Sequence, residues 1–260
     1  MPQSTNDKQN PKGLLAIFKG ESGEGKSVGA LSFPNPYIFD FDRKMPSIAA
    51  KHFPGKEFFW DTFESIFQID AVLKDLSSNC PYETLIVDSI TGLVNIIMDS
   101  VGLVKGESVT EILARTTKSK TIEMMGIDYY SAEDRFATYF IDRLKTLWAR
   151  EGNPKHVIIV AHVVTVDSSP DLKTKVITRT RSIVSKGKKF AAFLPSGFDN
   201  VYIFGRKLPD MGDLNQKVKR IIKTESFRED SGKCSFNFPE EIEFTNGSLY
   251  DKLVECGLPK

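Results

Sequence analysis

Cysteine is scarce in this chain: Cys80, Cys234 and Cys256 are the three among 260 residues, far apart and without a C-x-x-C pair. That excludes a disulfide framework and a zinc ribbon, and makes reduced thiols the expectation. An excess of one charge is missing too. Against 35 basic side chains stand 34 acidic ones, so no whole-molecule field points to nucleic acid. No apolar run approaches the roughly 18–20 residues of a membrane span, and the opening MPQSTNDKQNPK has no apolar segment of the kind a secretory signal needs. Internal repeats and low-complexity tracts are absent as well. With 40% hydrophobic and 27% charged residues, the chain has material for a real core. The expectation is a soluble cytoplasmic protein with no membrane partner.

Residues 1–12 are polar, carry two prolines and show no periodicity, which reads as a flexible tail ahead of a single domain over 13–260. Leu14–Phe18 is a short continuous apolar run, as expected for a strand buried on both faces. A glycine-rich turn follows, then a helix-compatible stretch from Lys26 to Leu31. Tyr37–Phe39 is a second apolar run, ending Asp40-Phe41-Asp42, and Phe58-Phe59-Trp60 a third with the character of core. Between Asp61 and Leu76 the apolar residues fall at helical spacing, with Asp61 or Thr62 placed as the cap. Leu85–Val87 ends in Asp88. Residues 91–150 read as mostly helical, with a polar stretch near 105–120 as an exposed insertion. His156–Val164 is the most β-branched run and the expected central strand. Beyond it Val176–Val184, Val201–Phe204 and Val218–Ile222 read as short strands in a turn-rich, basic portion spanning about 163–245. The fold class is therefore α/β: a mainly parallel sheet flanked by helices, with an antiparallel hairpin edge toward the C-terminus.

Gly20-Glu21-Ser22-Gly23-Glu24-Gly25-Lys26-Ser27 fits G-x-x-x-x-G-K-[ST], with an apolar strand before it and a helix after it. A chance match in a chain of this length has a probability on the order of 1%. Glycines let the backbone wrap an anion with its N–H groups turned inward, and the next helix adds the partial charge of its N-terminus. The loop, with Val28 behind it, reads as a nucleotide-phosphate cradle. Lys26 would reach the β- and γ-phosphates and Ser27 would ligate Mg²⁺, so ATP and Mg²⁺ are the expected cofactors. Asp88, at the end of a neighbouring apolar strand, is the second metal-side carboxylate. Hydrolysis also needs a group that orients or deprotonates water. Asp42 is the first candidate, Asp40 the second, because no acidic residue follows Asp88 directly. His162, ending Val157–Ala161, is placed to sense the γ-phosphate.

These pieces, in this order, resemble the RecA-like ATPase core: GESGEGKS, an acidic strand end in FDFD, LIVDS, and VIIVAH ending in a polar residue. In particular they look like the compact bacteriophage ATPases of that type associated with single-strand DNA annealing and recombination. SKGKKFAAFLPSGFDNVYIFGRK is similar to that group's G-K…L-P-x-x-F-D-x-V segment, and KVKRIIKTESF…FPEEIEF resembles its closing strands. The likeness covers roughly residues 13–245 and has two departures. Asp42 stands where the group carries glutamate, and the insertion 104–130 has no clear counterpart.

Between Asp171 and Lys223 there are 13 Lys or Arg against 4 Asp or Glu, a local excess of +9 inside a chain of net +1. That asymmetry suits a polyanion binder. Lys173, Lys175, Arg179 and Arg181 lie on an expected hairpin, and Lys186, Lys188 and Lys189 in the loop after it. The resemblance implies that such loops line a DNA path and that a neighbouring subunit's Lys or Arg completes the ATP site. Lys186, Lys188, Lys219 and Arg220 are the candidates for that trans finger or for phosphate contacts. Helical spacing assigns the nearby Phe190 and Phe193 to burial rather than base stacking. The expected partners are single-stranded DNA, further copies of the chain in a ring or filament, and a single-strand-binding protein. Two other readings stay open. One is a non-hydrolysing ATP-dependent scaffold, which the shortened Asp42 favours; the other is a nucleotide or small-molecule kinase, which the β-rich C-terminal half does not suit.

Overall fold

The computed structural model describes residues 13–103, 128–150, 152–167, 179–185, 188–207, 218–226, 230–245 and 248–259. The first half alternates strand and helix: β1 (Leu15–Gly20), α1 (Lys26–Ala30), β2 (Pro36–Asp40), α2 (Met45–His52), β3 (Phe59–Asp61), α3 (Ile66–Ser78) and β4 (Thr84–Asp88). Two long helices follow, α4 (Ile90–Leu103) and α5 (Asp128–Trp148). Then come β5 (His156–Asp167), β6 (Arg179–Ile183), α6 (Lys188–Phe193), β7 (Asn200–Lys207), β8 (Lys219–Lys223), β9 (Glu241–Glu243) and α7 (Leu249–Glu255). The sheet order is β3-β2-β4-β5-β1-β7-β8-β9, with β6 paired to β5. Strands β3 through β7 along that path are parallel, and β8 and β9 are antiparallel. This is the P-loop NTPase α/β fold.

The central strands read as unbroken apolar runs because both their faces are buried. Leu15, Ile17, Leu85, Val87, Val157 and Ile159 enter one core, and Ala16, Phe18, Ile86, Ile158 and Val160 the other. On the first face α3, α4 and α5 contribute Ile69, Leu73, Val94, Ile97, Phe136 and Phe140. On the second, α1, α2 and α7 contribute Ala30, Met45, Leu249 and Leu253. Register then aligns the strand ends: Gly20 lies opposite His162, Asp88 opposite Val160, and Asp40 opposite Asp88. All four chemistry-bearing ends therefore share one edge of the sheet, the carboxyl edge where open α/β folds bind ligands.

Several expectations are corrected. Asp61 does not cap a helix: it ends β3 and accepts a hydrogen bond from the Tyr37 hydroxyl at 2.5 Å, while α3 starts at Ile66 after Ser65. The helical spacing of Phe63 and Ile66 disguised a buried loop residue as part of the helix. Of Phe58-Phe59-Trp60 only Phe58 is core; Phe59 and Trp60 are 45% and 39% exposed, because β3 is the terminal strand of the sheet. Phe190 is buried, but Phe193 at the end of α6 is 63% exposed. Strand β7 is parallel to β1 on one side and antiparallel to β8 on the other, so it joins the parallel sheet to the antiparallel edge that the turn-rich texture implies. The tail 1–12 and most of the insertion, 104–127, lie outside the described residues.

Phe39 in β2 packs its ring against Phe140 at 5.3 Å and Phe63 at 5.8 Å, with no exposed surface. Phe39→Ala is expected to cost about 3–5 kcal/mol of stability. Trp60→Ala, on the open edge, is expected to stay within about 1 kcal/mol. Urea midpoints of the two variants check the contrast.

Candidate functional site

Between β1 and α1 the chain turns through Glu21–Gly25, and Gly23 and Gly25 take φ of +83° and +93°. Only glycine adopts such values cheaply, and these reversals bring successive amides to one side of a loop. Glu24 steadies the turn by accepting the Glu21 amide at 2.5 Å. Lys26 is nearly buried and donates to the Gly20 and Glu21 carbonyls at 2.9 and 2.7 Å. Burial, opposed by the charges of Glu24, Asp88 and Asp42, lowers its pKa to about 8. Helix α1 is five residues long. The loop amides and Lys26, more than a helix dipole, therefore supply the positive field.

A cleft of about 360 Å³ opens over the loop. Five cations line it (Lys26, Lys44, Lys51, Arg206 and Arg220) against two carboxylates, Asp42 and Asp88. A concave site so charged selects anions. Asp88 is 3% exposed and hydrogen-bonded by Ser27; burial, aided by the nearby Asp42 and Asp40 charges, raises its pKa to about 6. Ser27 and Asp88 thus present neighbouring hydroxyl and carboxylate oxygens, the donor set that fits the hard, oxygen-seeking Mg²⁺.

Asp42 follows β2 into the cleft. Its carboxylate accepts from Ser89 Oγ at 3.1 Å and lies 3.5 Å from both His162 Nε2 and Lys44 Nζ. Burial pushes its pKa up, but the His162 and Ser89 hydrogen bonds and the Lys44 charge prevail and hold it below the ordinary carboxylate range. Asp40, the second candidate base, is corrected: fully buried, it accepts the Lys44 and Met45 amides at 3.1 and 2.9 Å and so caps α2.

Ser22, Gly23, Gly25, Lys26, Ser27, Val28, Asp42, Asp88 and His162 thus meet in one cleft. Gly20, Glu21 and Glu24 belong to the loop itself, although the Glu21 side chain leaves it to pair with Arg181 at 3.0 Å. The basic residues divide differently from expectation. Arg181 pairs with Glu21 and Asp230, and Lys219 with Glu243 at 3.0 Å. Arg220 lines the same cleft as the phosphate loop. The backbones of Arg179, Lys188 and Lys189 lie in β6 and α6, whereas Lys173, Lys175 and Lys186 fall outside the described residues. Sequence reasoning missed Ser89, Lys44, Lys51, His52 and Arg206. Arg206 donates to the Gly23 carbonyl from the end of β7, and nothing in its sequence neighbourhood advertises a contact with a loop so distant in the chain.

Fold and site together define a P-loop nucleotide-binding protein. The family described as AAA domain matches residues 12–233, most of the chain, and the protein belongs to that family of P-loop ATPases. No curated protein matches the chain. Among the described residues, no helix is long and apolar enough to cross a membrane.

The folded pKa of Asp88, about 6, lies above the unfolded value of about 3.9. Between those values the folded state holds the extra proton, so this group lowers stability as pH rises through the window and keeps its full cost above it. Asp88→Asn is expected to raise the stability of the free protein at pH 8 by about 1–3 kcal/mol and to flatten its slope between pH 4 and 6. Denaturant titrations across that range, with the wild type alongside, read both effects.

Proposed function

We propose that this protein hydrolyses Mg²⁺-ATP and uses the nucleotide state to control its grip on single-stranded DNA, as a homo-oligomer in phage-type recombination, annealing or replication. The supporting observation is the continuity of β5. From Thr84's partner His156 to His162 it lies in the parallel sheet, and from Val163 to Asp167 the same strand forms a hairpin with β6. A displacement at His162 in the cleft is therefore a displacement of the hairpin's root. The loop reports to the same hairpin through Glu21 and Arg181. Basic residues 173, 175 and 179 cluster toward that hairpin in sequence, and salt-sensitive phosphate contacts are the binding mode they suit.

In the cleft, Lys26 exchanges its two carbonyl partners for phosphate oxygens, and a neighbouring anion restores its full charge. Ser27 and Asp88 would hold Mg²⁺, which neutralises charge on the phosphates. Asp42 orients the attacking water and accepts its proton, with His162 and Ser89 fixing the carboxylate. Arg206 holds the loop by its Gly23 carbonyl.

One observation favours a second reading. A carboxylate held below its ordinary pKa is a weak base, so Asp42 suits slow turnover, and ATP would then act mainly as the bond between subunits. Turnover separates the two readings. Lys26→Ala is expected to abolish ATP hydrolysis, Asp42→Asn to lower it by about 10²–10⁴-fold, and single-stranded DNA to raise the wild-type rate. Unchanged turnover in Asp42→Asn removes Asp42 from the mechanism and favours the scaffold. Failure to retain single-stranded DNA at low salt with Mg²⁺-ATP removes the DNA role.

A further inference from the structure

Helix α4 begins at Ile90, and its first turn reaches both the candidate base and the hairpin. Ser89 caps it: Ser89 Oγ accepts the Gly92 amide at 3.2 Å and donates to Asp42 Oδ1 at 3.1 Å. The turn lies so close to that carboxylate that a Cβ on Gly92 would sit 2.5 Å from Asp42 Oδ1 and 2.8 Å from Phe41 Cβ. Thr91, on the same turn, reaches the hairpin instead, where its Oγ1 donates to the Val184 carbonyl at 3.3 Å.

Val184 is the residue after β6. Its amide donates to the His162 carbonyl at 2.8 Å, which carries the hairpin one bond past the Val163–Ile183 pair. His162 Nε2 in turn lies 3.5 Å from Asp42 Oδ2. These contacts close a ring that runs from Asp42 through Ser89, Thr91, Val184 and His162 back to Asp42. The foot of β6 is held at the next residue as well, since Ser185 Oγ donates to Glu133 of α5. Glu133 is fully buried, and its other oxygen has no hydrogen-bond partner among the described residues. Half-satisfied burial of a carboxylate costs stability, so stability does not explain this second pin.

Resting on the reading of Asp42 as the group that orients water, we propose that Thr91 is a positioning residue for hydrolysis. It ties the return strand of the hairpin to α4 and so sets where His162 meets Asp42. The ring reaches the carboxylate by two routes, Ser89 on one oxygen and His162 on the other. Ser89 is fixed by its cap on α4. His162 is the last residue of β5 paired in the parallel sheet, and beyond it β5 is paired with β6 alone. A two-stranded ribbon is marginal by itself, so its foot needs an anchor, and the Thr91 hydroxyl supplies one. Thr91 does not line the phosphate cleft. Its effect on turnover therefore passes through Val184 and His162.

Thr91→Val keeps the branched shape of this half-buried residue and removes the hydroxyl, whereas Thr91→Ser keeps the hydroxyl. Thr91→Val is expected to lower kcat for Mg²⁺-ATP by about tenfold with KM changed less than about twofold, and Thr91→Ser to recover most of the loss. Without nucleotide, the Val184 amide is expected to exchange about tenfold faster in Thr91→Val, with the amides of β1 and β4 unaltered. In Asp42→Asn protein, adding Thr91→Val is expected to lower turnover no further, because the carboxylate it positions is gone. Unchanged kcat or unchanged Val184 exchange in Thr91→Val, with Asp42→Asn impaired, overturns the proposal and spares the Asp42 reading. A raised KM, a loss that Thr91→Ser does not recover, or an equal loss with and without Asp42 also overturns it, since each marks a merely structural effect. No turnover in the wild type, or full turnover in Asp42→Asn, removes the Asp42 reading and the proposal together.

Discussion

A carboxylate buried without a full counter-charge is the constraint on which the rest of the site depends. Asp88 sits at the end of a central strand, hydrogen-bonded by Ser27, in the company of Asp40 and Asp42. The fold tolerates it because the two apolar cores, one on each face of the sheet, are insensitive to what the strand tips carry; the tips need only be held in register. With β5 lying between β4 and β1, Asp88 is two strands from the phosphate loop, roughly 10 Å across the sheet. The Ser27 hydroxyl bridges the remaining distance. Around the carboxylate pair of Asp42 and Asp88 the cleft is otherwise cationic, so it offers oxygens for a metal ion beside charge for an anion.

The second organising element is a line of charge that runs from a buried pair in the core to the exposed start of the loop. Lys19, 2% exposed in β1, pairs with Asp230, which also takes Arg181 at 3.2 Å; Arg181 in turn holds Glu21 at 3.0 Å. Buried pairs of this kind seldom add much net stability, but removing one member leaves an uncompensated charge, so the arrangement is geometrically demanding. Its effect is to tie the first residues of the loop to the β6 arm of the hairpin and to the segment at Asp230. Loop and hairpin are thereby physically joined.

The parts of the site legible in the sequence are those carried by contiguous segments. GESGEGKS is legible from its glycine and lysine spacing alone, whereas LIVDS and VIIVAH each combine an apolar run with a polar residue at its end, and an apolar run buried on both faces forces that residue to the strand tip. The same logic offers both Asp42, as first candidate, and Asp40, as second, and the bonds from the Lys44 and Met45 amides to Asp40 set the two apart in the fold. What was not legible depends on strand order. Arg206 and Arg220 look like part of a basic surface until β7 is seen beside β1 and β8 beside β7, which sets both at the loop. Exposure at Phe59 and Trp60 likewise follows from β3 being last in the sheet, a position that a local aromatic run does not encode. Among the described residues, the basic excess between Asp171 and Lys223 includes cations that serve the cleft, Arg206 and Arg220, and cations held in ion pairs, Arg181, Lys207 and Lys219.

The claim that everything else needs is that backbone amides from Gly23 to Val28 close around a triphosphate. Amide hydrogen exchange, resolved to single residues with and without Mg²⁺-ATP, addresses it directly. Protection of those amides by tenfold or more, absent when Lys26→Ala protein is used, is the result the account predicts. Exchange in that stretch unaltered by saturating nucleotide, with protection arising elsewhere on the chain, would contradict it.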